Sequence, residues 1–506
     1  MVRPEGHFHA DSTATRRQRE KVIGPSLFGR GLLYVVVWSL QLVAGIIVSP
    51  VLAHTLAPAE FGALAAGIAL HQAIAALALF GFDRALVLQR AEDNNNDNAR
   101  GLIAVGMSFA LLVTVVFALT APLWRGALGF GQHAELVYAV ILWTVPAASV
   151  QVMLSLLLAE DKFRPFALVS GLAAIGGQVV GLILLFGLRN DAGTYALGAV
   201  GSQIAAMLVG IVLTRPSLRG LANWRVTRRA LKLGLPLTLA GIAYFQLSAG
   251  DRIIVQMILG AEEVGRYQAA YVIGSIVVLL ITFTGTAWTP RFAALVDNAE
   301  RWELATRARD ELYRVLMPVI LGVTLAAPFA LQIVVPQSFR PETLTGVVFL
   351  IALSAFPVAA GAASCQLLLT QRRGSVIGLM TGVAAMGSIG LNLLLVPLWG
   401  IFGAATAAVA AYMLLAFLQR IGLPKTQVWR RPTPNLIAAV LAVILLASAT
   451  TLIPQSPEWN LVRLAFAFAC LPWFIRSLRS ARSSLESFPD PGISPPATDQ
   501  KLSQGS

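Results

Sequence analysis

RPSLRGLANWRVTRRALK, residues 215–232, carries Arg215, Arg219, Arg225, Arg228, Arg229 and Lys232 and no acidic residue. Apolar runs flank it, 194–214 before and 233–259 after, and each is long enough for a helix to cross a bilayer. Outward from this centre the pattern repeats, with spans at 32–54, 61–82, 101–121, 134–158 and 165–188 on one side. On the other side lie 266–289, 311–335, 345–370, 375–397, 404–419, 435–453 and 460–475. Alternate connections hold all of the 38 Lys and Arg except Arg125, Arg189, Arg252, Arg266, Arg340 and Arg463. Lys and Arg stay on the cytoplasmic side during insertion, so the spacing predicts fourteen spans with both termini cytoplasmic.

Composition excludes a soluble domain. Of all residues 57% are hydrophobic and only 12% are charged, which leaves too little polar surface for water. Spans this long and uniformly apolar are helices, because backbone groups in lipid must be satisfied internally. The net charge of +13 belongs to cytoplasmic connections that face an anionic leaflet. No basic-aromatic module points to nucleic acid. Cys365 and Cys470 both lie inside spans, so no disulfide framework is expected. The first span is too long, and its preceding tail too extended, for a cleaved signal peptide. No His-x-x-x-His, Gly-x-Ser-x-Gly or Walker pattern occurs, so no catalytic site, metal or cofactor is expected.

The chain divides into a basic cytoplasmic tail (1–30), a six-helix lobe (31–214) and the basic linker (215–232). A second six-helix lobe (233–420), two extra helices (421–478) and a polar, disordered tail (479–506) follow. Leu56-Ala-Pro-Ala-Glu60-Phe-Gly62 and Leu259-Gly-Ala-Glu-Glu263-Val-Gly265 both read Leu-x-x-x-Glu-x-Gly and lie between equivalent spans. Gly198-Ala199 and Gly403-Ala404 form a second pair at nearly the same offset. Such matches indicate a duplication. Six spans per half gives halves of parallel topology, related by an axis along the membrane normal.

Ionisable residues inside spans are costly and mark pathways. Arg252 lies about 28 Å along its span from Leu233, in the outer third of the membrane. It either meets a cargo or forms a self-neutralising pair with Asp251. Adjacent helical residues point about 100° apart, so the two are not expected to share a face fully. Asp83-Arg84, at the cytoplasmic end of a span, reads first as a topology anchor. Arg266 opens its span from the outside, facing a cavity or the interface. His71, in mid-span, either relays protons or binds anions, or more commonly bonds a neighbouring helix. Gln178, Gln203, Gln246, Gln256 and Asn392 read as inter-helix polar contacts.

At these residues the chain resembles the Wzx-type oligosaccharide flippases of the multidrug/oligosaccharidyl-lipid/polysaccharide exporter superfamily. Leu56 to Gly62 looks like the family's first outer turn. Asp251-Arg252 with Leu259-Gly260, Val264-Gly265, Tyr267 and Ala269-Ala270-Tyr271 looks like its span 7–8 signature. Pro397, Gly400 and Gly403-Ala404-Ala405 resemble the turn before its twelfth span. The resemblance implies two six-helix bundles opening alternately to each side of a bacterial inner membrane. It implies a polyprenyl-diphosphate-linked oligosaccharide as cargo, a cationic lumen, and a polymerase and export machinery as partners. Arg252 is carried over as the cavity cation, with Asp251 as its motif partner in ion coupling. Arg84, Arg266 and His71 match no motif and stand as pathway candidates on depth and charge alone. A drug/cation antiporter on the same fold would need acidic cavity residues, which the spans almost lack. A membrane polymerase or ligase would need a sizeable outer loop.

Overall fold

The computed structural model describes residues 44–93, 96–281, 291, 292, 295, 297–424 and 429–486. The expected tail 1–30 and most of 479–506 lie outside them. Among the described residues the protein is helical, without a strand. The first half contains α1 (Ala44–Thr55), α2 (Pro58–Leu79), α3 (Phe82–Asp93) and α4 (Asn96–Trp124). It continues with α5 (Ala134–Ala159), α6 (Phe163–Gly187) and α7 (Ala192–Thr214). The second contains α8 (Trp224–Ser248), α9 (Gly250–Leu259), α10 (Ala261–Gly274) and α11 (Asn298–Val334). It ends with α12 (Thr345–Thr370), α13 (Gly374–Ile421), α14 (Pro434–Thr451) and α15 (Pro457–Glu486).

Eleven helices among the described residues are long and apolar enough to cross a membrane. The difference from the fourteen expected lies in three places. Spans 32–54 and 266–289 run beyond the described residues, and 375–397 and 404–419 join into the bent α13. The bend is at Gly400, where φ 59° and ψ −139° suit a residue without a Cβ.

Local chemistry sets the helix ends. Asp191 caps α7 by accepting from the Thr194 N–H at 2.7 Å, and Asp297 caps α11 through the Ala299 N–H at 3.0 Å. Pro58 and Pro434 occupy first turns, where no N–H is missed. In α6, Leu172–Gly176 form a π turn, which loosens the carbonyl ladder in mid-membrane. Two polar side chains of α7 meet carbonyls there. Ser202 Oγ donates to Leu172 O at 2.5 Å and Gln203 Nε2 to Ala173 O at 3.2 Å, as lipid requires of loosened backbone groups.

Helices α2 and α4–α7 pack on one another, as do α8, α9, α12 and α13, with α11 holding α14 and α15. Two bundles result, in a pseudo-two-fold arrangement, and they meet along α2 and α10. Arg463 of α15 donates to Thr450 O and Ile453 O at the end of α14. It closes the α14–α15 hairpin rather than reaching out to the interface.

The basic stretch 215–232 is not wholly a connection. Leu218–Ala222 form a 3₁₀ turn, and α8 begins at Trp224 under an Asn223 cap. The stretch lies against the first bundle: Ser217 N–H donates to Arg100 O at 3.2 Å, and Arg229 pairs with Glu92 at 2.7 Å. At the far end, α15 continues to Glu486, so the first residues of the expected tail are helical.

Candidate functional site

The span expected to run unbroken over 233–259 breaks at Ala249, which has φ −147°. Helix α8 stops at Ser248 and α9 restarts at Gly250. Asp251 and Arg252 therefore lie in a first turn, where backbone N–H groups lack intrahelical partners. The Asp251 carboxylate takes one of them, accepting from the Arg252 N–H at 2.9 Å. The same Oδ1 accepts from Arg252 NH1 at 3.1 Å. Of the two readings of Arg252, this arrangement shows the self-neutralising pair: the flexible guanidinium folds back onto the adjacent carboxylate.

Helix α10 completes the cluster. Arg252 Nε donates to Gln268 Oε1 at 2.8 Å, and NH1 also donates to Ser248 O at 3.2 Å. The guanidinium lies 4.0 Å over the Tyr271 ring. Tyr267 OH donates to the other Asp251 oxygen at 2.5 Å. Both charged residues are buried, Asp251 at 5% and Arg252 at 6% exposure. A buried pair holds only when its remaining lone pairs and protons are met as well, and the tyrosines and glutamine do that. Tyr267 and Tyr271 lie four residues apart on α10, so both face the same neighbour. Sequence reading quoted these tyrosines without assigning them a role and missed Gln268. Their helical spacing opposite Asp251-Arg252 is the signal that was available.

The other candidates lie elsewhere. Arg266 clamps the connection after α11: it pairs with Glu263 at 2.5 Å, and donates to Phe339 O at 3.3 Å and Thr343 Oγ1 at 2.7 Å. Arg84 leaves 77% of its side chain exposed beside Asp83, 3.5 Å away. His71 is buried in the first bundle with its ring stacked on Trp143, centroids 4.2 Å apart. His71 Nδ1 and Trp143 Nε1 are both enclosed and have no hydrogen-bond partner among the described residues. The structure thus unites Asp251 with Arg252 but does not bring Arg84, Arg266 or His71 to them. Gln256, on α9, crosses between bundles, donating to Gly129 O at 2.9 Å.

An apolar cavity of about 630 Å³ lies between Ile46 of α1, residues 276–280, α11 and α15. Leu279, Val319, Phe468 and Phe474 are among its walls.

A family model described as "Polysaccharide biosynthesis protein" matches residues 29–296, more than half of the chain. The succinoglycan biosynthesis transport protein ExoT of Rhizobium meliloti (strain 1021) is 26% identical over 294 residues. That match covers 55% of this chain and 56% of ExoT, so it spans little more than half of that relative. Among solved structures, the lipid II flippase MurJ in an inward closed conformation aligns with TM-score 0.68 at 12% identity. It covers 90% of this chain and all of MurJ. An inward-facing multidrug resistance MATE family transporter of the MOP superfamily aligns with TM-score 0.61 at 15% identity, covering 82% and 98%. The fold is that of these transporters.

Proposed function

The chain belongs to the polysaccharide biosynthesis protein family, and we propose that it is a flippase. Its cargo is a polyprenyl-diphosphate-linked oligosaccharide, moved from the cytoplasmic to the periplasmic leaflet of a bacterial inner membrane by alternating access. The observation that carries this reading is membership of that family on a transporter fold. The apolar cavity supports it, because its size falls in the range of ligand pockets and its walls suit a hydrocarbon chain.

Such a cargo carries negative charge that hydrocarbon does not accept, so its path must offer compensating positive charge. Arg252 is the intramembrane guanidinium at the junction of α9 and α10, and its fork suits phosphate oxygens. In the arrangement described its Nε and Nη1 are engaged. Cargo therefore reaches it by exchange with Asp251. Neutralising Asp251, by a proton or a bound sodium ion, weakens its hold on Arg252 and favours that exchange. One site then couples an ion to the cargo. Arg266, Arg84 and His71 are secondary pathway candidates. The sugar polymerase and export machinery are the partners such a cargo serves. A drug/cation antiporter has the same fold, but its cargo would meet an Asp251 already paired with a cation. The reading is of a transporter rather than an enzyme.

Arg252→Ala is expected to block surface polysaccharide export and leave lipid-linked precursor on the cytoplasmic side, with export read per amount of inserted protein. Arg252→Lys recovers only part, because ammonium keeps the charge without the fork. Export at the native rate in Arg252→Ala would make Arg252 a structural anchor. Orientation is checked separately. Reporters fused after residues 95, 222, 300 and 428 should report cytoplasm, and those near 192 and 401 periplasm. A periplasmic signal at 222 would overturn the two-lobe arrangement with 215–232 as linker.

A further inference from the structure

Four of the chain's eight tyrosines gather near the Asp251–Arg252 pair, so the concentration is local rather than compositional. They are Tyr267 and Tyr271 of α10, Tyr244 of α8 and Tyr412 of α13. The two on α10 are committed to the pair. Tyr267 is fully buried and donates to Asp251 at 2.5 Å. Tyr271 has one ring face under the Arg252 guanidinium, and its hydroxyl donates to Ser248 O at 3.4 Å. The other two surround this core without holding it. Tyr412 packs beside Ala243 and Leu247 of α8. It stands within electrostatic reach of Asp251, Arg252, Tyr244 and Tyr271.

Tyr244 differs from the rest, being 67% exposed. Its neighbours along α8 say what that surface faces. Ser248, whose carbonyl accepts from both Arg252 Nη1 and Tyr271 OH, lies four residues on. Residues at that spacing share a helix face. Gly241, three residues back, continues the face, and a Cβ added there would meet nothing within 4 Å. The ring thus stands one helical turn before the ion pair, with open space beside it. It lies about 16 Å along the span from Leu233, near mid-membrane. A phenol turned to hydrocarbon at that depth would leave its O–H unmet, so an exposed one marks a polar wall.

We propose that Tyr244, backed by Tyr412, is a stacking platform for the sugar that follows the diphosphate of the cargo. The proposal rests on the flippase reading, and it gives the sugar a place one turn from the guanidinium that takes the phosphate. A pyranose carries C–H bonds on its face and hydroxyls around its edge. The aromatic face is partially negative and attracts those C–H bonds, while the phenol O–H meets an edge hydroxyl. The rival ligand for such a ring is an organic cation, which the adjacent Arg252 repels.

The test uses the full-length protein in nanodiscs, titrated with farnesyl diphosphate and with farnesyl diphosphate carrying one glucose or galactose. The native protein should bind a glycosylated probe about tenfold tighter than the bare one. Tyr244→Leu should erase that advantage and leave bare-probe affinity unchanged, while Tyr244→Trp keeps it. Equal binding of bare and glycosylated probes by the native protein overturns the platform and leaves the flippase reading standing. So does a Tyr244→Leu variant that weakens both alike, or one that loses only tetraphenylphosphonium binding. In a second arm, p-benzoylphenylalanine at position 244 is irradiated in cells. It should capture an adduct that stains for carbohydrate, and the same label at Leu239, exposed on another face of α8, should not. Sugar capture at 244 by a protein that binds neither diphosphate probe would sink the diphosphate cargo and leave the platform. Absence of sugar at 244 overturns the platform.

Discussion

The buried His71–Trp143 pair of the first bundle is neutral and short of partners, while the buried Asp251–Arg252 pair of the second is charged and engaged. His71 and Trp143 are stacked with a ring nitrogen each left without a partner among the described residues. Asp251 and Arg252, at comparable remove from water, are bonded to each other and to Tyr267, Gln268, Ser248 and Tyr271. The difference follows from cost. An unpaired neutral donor in a low-dielectric interior costs a few kcal/mol, whereas an unpaired ion costs far more. Charge therefore exists here only with its partners, and the groups standing ready for a ligand hydroxyl are the neutral ones.

The comparison breaks most visibly at Arg252. Arg252→Ala leaves the buried Asp251 carboxylate without its cation, and should lower stability by about 3–5 kcal/mol, read as thermal unfolding in detergent. The double variant Asp251→Asn with Arg252→Gln removes both charges and should regain most of that stability without regaining export. Native export by the double variant would reduce the second bundle's centre to scaffold. Asp251→Asn alone keeps a similar shape and should insert normally. Its export should depend less on the ion gradient, measured with and without an uncoupler, and unchanged dependence would remove Asp251 from coupling.

Arg266→Ala loses its clamp on the connection after α11, a cost of about 1–3 kcal/mol. Limited proteolysis around residues 336–344 should then accelerate, while a native cleavage rate would separate that connection from the Arg266–Glu263 pair. His71→Gln gives up the buried stacking on Trp143 and should lower stability by about 1–2 kcal/mol. Its export should fall a few-fold if the neutral centre meets sugar hydroxyls, and unchanged export would confine recognition to the second bundle. Arg84→Ala should shift both readouts least, within about 0.5 kcal/mol in stability, because its side chain is largely in water.

Span positions were legible because apolar length acts locally along the chain. The repeated motif was legible too, since its glycines and glutamates recur at a fixed offset. What those glycines touch was not, because Gly62 and Gly265 meet only when two distant segments pack. The break at Ala249 left no mark either. Ser-Ala-Gly-Asp carries no proline, so the run from 233 to 259 reads as one helix, and that reading hid the first turn in which Asp251 and Arg252 lie. Basic and acidic stretches at Trp224–Lys232 and Asn298–Asp310 read as connections by charge. They are helical extensions of α8 and α11 beyond the apolar length, where charged residues cost a helix nothing in water.

Arg463 bears on how the chain is made. Its Nη2 donates to Thr450 O and Ile453 O, at and just past the end of the preceding helix. A translocon presented with α15 alone would meet a guanidinium near the start of the apolar segment, a penalty below the about 2.5–3.5 kcal/mol of a mid-helix Arg. Presented with α14 already complete, it meets that guanidinium with acceptors waiting. The last two helices are thus built to enter the membrane as one hairpin, and a nascent chain ending between them lacks the residue that finishes its own final helix.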